Sequence, residues 1–189
     1  QAIVSLIAAI GESGEPASIS FAYATLEAGE WKTVFTQLKE LKNISIGELI
    51  WDGNKITPSF FTFVNRIKTL TALSLMGAQI LEGPSTKKLC SFIEGSTKLK
   101  YLNVSGKKGN NLSSSSAADV IKALESNRSI SYFDISNTPI RPNGLRNLAN
   151  ALITNRVPDI VLIDTIKVYT RESWNYFIDT LLKRGKPLK

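Results

Sequence analysis

The chain has 189 residues, 43% of them hydrophobic and 21% charged, the balance of an ordinary folded domain with material for a sizeable core. It has no histidine and one cysteine, Cys90, which removes the commonest general base and metal ligand, every Ser–His or Cys–His nucleophile pair and any internal disulfide. Twenty-three Lys and Arg against sixteen Asp and Glu give a formal +7, which suits an acidic partner, nucleic acid or an anionic membrane only if those charges gather on a binding face.

The most apolar run, residues 2–10, is far shorter than the roughly 20 residues a spanning helix needs, so no membrane insertion is expected. The single cysteine favours a reducing, cytoplasmic setting. Sequons begin at Asn43, Asn103, Asn111 and Asn127, but each falls at a strand or helix end and is read as chance.

In chain order, residues 2–10 read as an apolar helix, and the template L-x-x-L-x-L-x-x-N-x-L then fits six times. The first fit opens at Pro16, with Ile19 and Phe21 at the inner sites and Ala24 at the Asn site. The second is Ile46, Leu49, Trp51, Asn54, Ile56, and the third Leu70, Leu73, Leu75, Ala78, Ile80. In the fourth, Leu99, Leu102 and Val104, an insertion pushes the ending to Asn110 and Leu112. Ile130, Phe133, Ile135, Thr138, Ile140 follow, then Val157, Ile160, Leu162, Thr165. The central sites 19, 49, 73, 102, 133 and 160 lie 30, 24, 29, 31 and 27 residues apart, room for a helix in every unit.

The linking segments carry helical spacing: Trp31, Val34, Phe35, Leu38, Leu41; Phe60, Phe61, Val64, Ile67; Leu89, Cys90, Phe92, Ile93; Ala117, Val120, Ile121, Leu124; Leu145, Leu148, Ala149, Leu152; and Trp174, Phe177, Ile178, Leu181, Leu182. Pro58, Pro84 and Pro142 mark helix starts, and the serines at 113–116 offer an N-cap or a phosphorylation site. Asn127 and Asn155 sit where helices end and a left-handed residue is wanted.

These units resemble the leucine-rich repeat superfamily, in its longer αβ repeats of the ribonuclease-inhibitor type, over nearly the whole chain. Residues 120–137 look most like repeats of CARMIL- and tropomodulin-type actin regulators. The resemblance implies an α/β fold: a right-handed horseshoe solenoid of about six repeats, parallel strands on the concave face and helices on the convex face. Ala24, Ala78, Thr138 and Thr165 at the Asn site rule out a continuous buried Asn ladder. Residues 1–189 read as a single domain, and the uncapped apolar residues 2–10 suggest a section of a longer array.

Reading either side of the central sites, the exposed concave columns are Ser18, Ser20, Ala22; Glu48, Ile50, Asp52; Ala72, Ser74, Met76; Tyr101, Asn103, Ser105; Tyr132, Asp134, Ser136; and Asp159, Val161, Ile163. None is Lys or Arg, four are acidic, and the tyrosines, Met76 and Ile50 offer anchors. The expected role is a non-catalytic protein-interaction scaffold, without cofactor or metal, whose partner contacts Glu48, Ile50, Asp52, Met76, Tyr101, Asn103, Tyr132, Asp134, Asp159 and Val161. Lys107 and Lys108 form a basic loop open to a further contact. Basic residues do not interleave with aromatics on the strands, which disfavours nucleic acid. The family resemblance puts the partner in the actin cytoskeleton. Ran GTPase-activating proteins use similar repeats, so the alternatives are a small-GTPase activator acting through Asn137 or Arg141, or a structural spacer. Changing Asp52, Asp134 and Asp159 to Lys is expected to leave folding intact and abolish capture. Cys90, Trp31, Trp51 and Trp174 read as packing residues.

Overall fold

The computed structural model describes residues 2–24, 26–80, 83–107, 112–154, 158–164 and 170–184. Helix and strand alternate: α1 (Ala2–Ser13), β1 (Ala17–Ser20), α2 (Ala28–Leu38), β2 (Ile46–Ile50), β3 (Lys55–Ile56), α3 (Pro58–Val64), β4 (Ala72–Ser74), β5 (Gln79–Ile80), α4 (Pro84–Gly95), β6 (Tyr101–Asn103), α5 (Ser114–Ser126), β7 (Tyr132–Asp134), α6 (Pro142–Thr154), β8 (Ile160–Leu162) and α7 (Arg171–Leu182). Parallel neighbours need a crossover, and each intervening helix supplies one. The result is a six-stranded parallel sheet in the order β1-β2-β4-β6-β7-β8, with β3 and β5 as a separate parallel pair.

The register runs Ile19, Leu49, Leu73, Leu102, Phe133, Val161 across the sheet. Backbone bonds carry the ladder two residues further, as in Trp51 N–H to Ser74 O and Gly53 N–H to Met76 O. Side chains alternate along a strand, so Phe21, Trp51, Leu75, Val104, Ile135 and Ile163 share the inner face and join the helices in one core. Its first half is aromatic: Trp51 lies 4.3 Å from Trp31 and 4.8 Å from Phe60 between ring centres. Its second half is aliphatic, built on Val120, Ile121, Leu145, Leu148 and small alanines.

The last strand departs from expectation. Val161, not Ile160, pairs with Phe133, so the central interval is 28 residues and every side chain of β8 changes face. Ile178 and Leu182 also leave the expected core face, at 53% and 79% exposed. Asn54 fills its Asn site by donating to Phe21 O at 2.6 Å, while at the equivalent Thr138 the hydroxyl turns to Ser136 O. Asn103 and Asn127 are buried, which closes both sequons to glycosylation.

Pro58 and Pro84 begin their helices, as does Pro142, and Ser113 caps α5 by accepting from Ser116 N–H at 3.2 Å. Asn127 is not left-handed: its backbone is extended (φ −73°, ψ 141°) and its side chain is a brace. It donates to Ile93 O and Ser96 O at 2.7 and 2.8 Å, holding the end of α4, and accepts from Ser129 and Ile130 N–H. Arg66 does the same for α2, donating to Leu38 O and Leu41 O, and Arg184 for α6, donating to Leu152 O and Pro158 O. Helix-end carbonyls lack intrahelical donors, and in these three places the next unit supplies them. Asn155 lies outside the described residues.

Candidate functional site: the open face of the sheet

Helices cover one face of the sheet, and three rows of side chains line the other. The first row is Ser18, Glu48, Ala72, Tyr101, Tyr132, Ile160, and the second Ser20, Ile50, Ser74, Asn103, Asp134, Leu162. The continued ladder sets the third as Ala22, Asp52, Met76, Ser105, Ser136, Asp164. Of the expected contacts, Glu48, Ile50, Asp52, Met76, Tyr101, Asn103, Tyr132 and Asp134 lie on this face. The one-residue shift of β8 turns Val161 inward, against the core, and takes Asp159 out of the rows. Ile160, Leu162 and Asp164 replace them. An unbroken apolar run has no alternation from which to read its facing. A usable signal exists: Ile135-Ser-Asn recurs as Ile163-Asp-Thr in the aligned position.

Two tyrosines dominate the middle of the first row. Their directly opposed positions stack the rings at 4.5 Å between centres and 19° between planes. Burial raises both phenol pKa values above the ordinary range, and at Tyr101 the carboxylates of Asp134, Asp52 and Glu48 push the same way. Three acids from two strands, Glu48 and Asp52 along and just past β2 and Asp134 on β7, thus act on one ring.

Most polar side chains here are committed to the face itself. Asp52 Oδ1 accepts from Ser74 Oγ at 2.6 Å and Met76 N–H at 2.8 Å; Asn103 Oδ1 accepts from Ser105 N–H; Asp134 Oδ1 accepts from Ser136 N–H. Asp52, Asn103 and Asp134 are buried for that reason. Charge reversal at Asp52 or Asp134 would leave a buried cation beside orphaned N–H groups. The expectation that such a variant folds intact is therefore withdrawn. The more accessible groups are Glu48, which accepts from Ser18 Oγ, Leu162 at 39% exposed, and Asp164.

The rim at the strand ends carries a contact absent from the sequence reading. Tyr23, a left-handed residue at φ 53°, lays its ring over Gly53, and Lys107 passes over Gly77 to donate from Nζ to Tyr23 Oη at 2.7 Å. A Cβ on Gly53 would lie 2.3 Å from that ring, and both glycines have positive φ, so neither position accepts a side chain cheaply. Lys107 is thus tied across the sheet; Lys108 lies outside the described residues. Asn137 takes the equivalent left-handed turn at φ 55°, a conformation asparagine tolerates, and Arg141 is exposed at the start of α6.

No group of three or more His, Cys, Asp or Glu able to hold a metal occurs among the described residues. Cys90 is half-buried, and burial first, then the carboxylates of Asp119 and Glu94, push its pKa up to about 11. The neutral thiol is favoured, so alkylation by iodoacetamide should be slow at pH 8. It should rise about tenfold per pH unit and level only near that pKa, whereas an ordinary thiol levels near about 8.5. A rate at pH 8 equal to that of free cysteine would contradict this.

The sequential parallel sheet with helices on one face defines an α/β protein of leucine-rich-repeat-like fold. No family model matches the chain, and no curated protein sequence does. Among solved structures it is similar to the tropomodulin C-terminal domain of Caenorhabditis elegans, at 14% identity over 96% of this chain and 93% of that one, with a TM-score of 0.60. It is also similar to leiomodin-1 actin-binding site 2, at 14% identity over 67% and 71%, with a TM-score of 0.55. At such identity the likeness is one of fold. No helix among the described residues is long and apolar enough to cross a membrane.

Proposed function

We propose that this chain is a non-catalytic, cytoplasmic protein-interaction domain that regulates actin and binds its partner on the open face of the sheet. The observation that carries the reading is the composition of that face. Glu48, Asp52, Asp134 and Asp164 lie around a stacked tyrosine pair, and its three rows contain no Lys or Arg in a chain of net charge +7. A surface so kept free of cations suits a partner segment that brings basic and apolar groups, the latter seated on the tyrosines, Ile50 and Leu162. Actin enters through fold likeness, since one of the similar structures is itself named as an actin-binding site.

The test is co-sedimentation with purified actin filaments, comparing the natural chain with a Glu48→Lys, Leu162→Lys, Asp164→Lys variant. These positions avoid the buried carboxylates, so the variant should keep its circular dichroism and melting temperature within a few degrees. Actin binding should fall at least about tenfold, the scale of losing one good interfacial anchor or charge pair. Equal sedimentation of both chains would remove the open face from the reading, and no sedimentation of the natural chain would remove actin.

A further inference from the structure

The tyrosine pair has two outer faces, and one of them looks onto a gap. Tyr101 and Tyr132 occupy directly opposed positions, and their near-parallel rings stack at 4.5 Å, close to the spacing of about 4.8 Å between strands. Rings spaced by the strands themselves stand up from the sheet with their faces turned mainly across it. One face of Tyr101 is therefore covered by Tyr132, and the other looks over β4. The opposed residue there is Ala72, half-buried, and the next one across is Glu48.

Ala72 thus leaves a notch between Tyr101 and Glu48. Their strands lie two spacings apart, about 9–10 Å, so a flat group packed at about 3.5–4 Å from the Tyr101 ring has room before it meets Glu48. Ser74, next on the same face of β4, is small too, and its hydroxyl turns to Asp52. Glu48 leans away from the notch: its Oε2 accepts from Ser18 Oγ at 2.5 Å, and its Oε1 has no hydrogen-bond partner among the described residues. Burial, and after it the carboxylates of Asp134, Asp52 and Glu48, raise the Tyr101 phenol pKa, so the ring stays neutral in a negative field.

Elsewhere the chain supplies cations to its own tyrosines. Lys107 Nζ lies 4.7 Å from the centre of the Tyr23 ring, and the Arg146 guanidinium 5.1 Å from that of Tyr176. Among the described residues no Lys or Arg lies over Tyr101, although its face is the one set beside a carboxylate. We infer that the notch over Ala72 is a pocket for an arginine side chain of the protein partner, its guanidinium stacked on the outer face of Tyr101 and its N–H groups donating to Glu48 once that side chain turns from Ser18. Arginine fits better than lysine because a planar, weakly hydrated guanidinium stacks on an aromatic face while its edges donate, whereas an ammonium is a strongly hydrated point charge. The inference rests on the reading of the open face as the partner surface and names one group that the partner brings; it does not require that partner to be actin.

The probes are three short alanine-glycine peptides with a central arginine, lysine or citrulline, the last keeping the planar shape without the charge. Each is titrated into the whole chain and followed by amide NMR. The arginine peptide should shift the Ala72 and Tyr101 resonances and bind about fivefold more tightly than either control, the scale of one cation on an aromatic face. Ala72→Leu should fill the notch and erase that preference. Glu48→Gln, which keeps the acceptor for Ser18 but removes the charge, should weaken the arginine peptide about threefold. Equal affinity for the arginine and lysine peptides, retention of the preference in Ala72→Leu, or shifts confined to residues away from the notch would each overturn the proposal. Should Ala72→Leu fail to fold by circular dichroism, Glu48→Gln and the three peptides still decide it. Actin co-sedimentation without an arginine preference would remove the pocket and keep the open face, whereas an arginine preference without co-sedimentation would keep the pocket and remove actin.

Discussion

Replacing Trp51 with alanine is expected to cost about 3–5 kcal/mol of folding stability, which for a domain holding about 5–15 kcal/mol in all approaches global unfolding. Trp51 is 1% exposed and touches the rings of Phe21, Trp31, Phe35 and Phe60, with centres 4.3 to 5.7 Å away. Those rings come from three places, the end of β1, α2 and α3, so the cavity left behind cannot close by one helix shifting. Its indole N–H is buried with no hydrogen-bond partner among the described residues, so Trp51→Phe loses volume but also relieves an unsatisfied donor. That variant should cost less than half as much. Urea denaturation with an unchanged slope would measure both, and a loss below about 1 kcal/mol for Trp51→Ala would show that the aromatic cluster is not the stability centre described.

Asn127→Ala should cost about 2–4 kcal/mol, although the residue contributes little apolar area. Four buried or half-buried backbone groups use its amide: the N–H groups of Ser129 and Ile130, and the carbonyls of Ile93 and Ser96, which keep second donors in Ser96 N–H and Ser129 Oγ. Leaving one buried group unpaired costs about 1–3 kcal/mol, and the cost falls on the Ser129 and Ile130 N–H groups, since both carbonyls keep a second donor. Asn127→Asp keeps the acceptor but turns an anion toward two carbonyl oxygens, so it should be no milder than alanine. Hydrogen exchange should speed at Ser129 and Ile130 in the alanine variant and stay slow in Asp. A stability change within about 0.5 kcal/mol would mean that neighbouring groups or water replace the brace at no cost.

The register of β8 shows why part of the candidate site escaped the sequence. In the earlier strands an apolar residue is flanked by polar or small ones, as in Tyr101-Leu-Asn and Tyr132-Phe-Asp, and alternation reveals which side is buried. In Ile160-Val-Leu-Ile every residue is acceptable on either side, and only pairing with β7 chooses. Asp52 and Asp134 make a different point. Their place on the open face was legible, but their burial was not, because it depends on Ser74, Met76 and Ser136 closing over them.

The sequence by itself determined the alternation of short strand and helix, the prolines that start three helices, the apolar rows that face the core and the absence of Lys and Arg from the open face. These follow from local periods and from the steric demands of single residues. Only the tertiary structure decided the register of the last strand, the braces at Arg66, Asn127 and Arg184, the Tyr23–Lys107 contact and the notch over Ala72. Each of these depends on residues from different units meeting, and the periodicity within one unit carries no record of what its neighbour places against it.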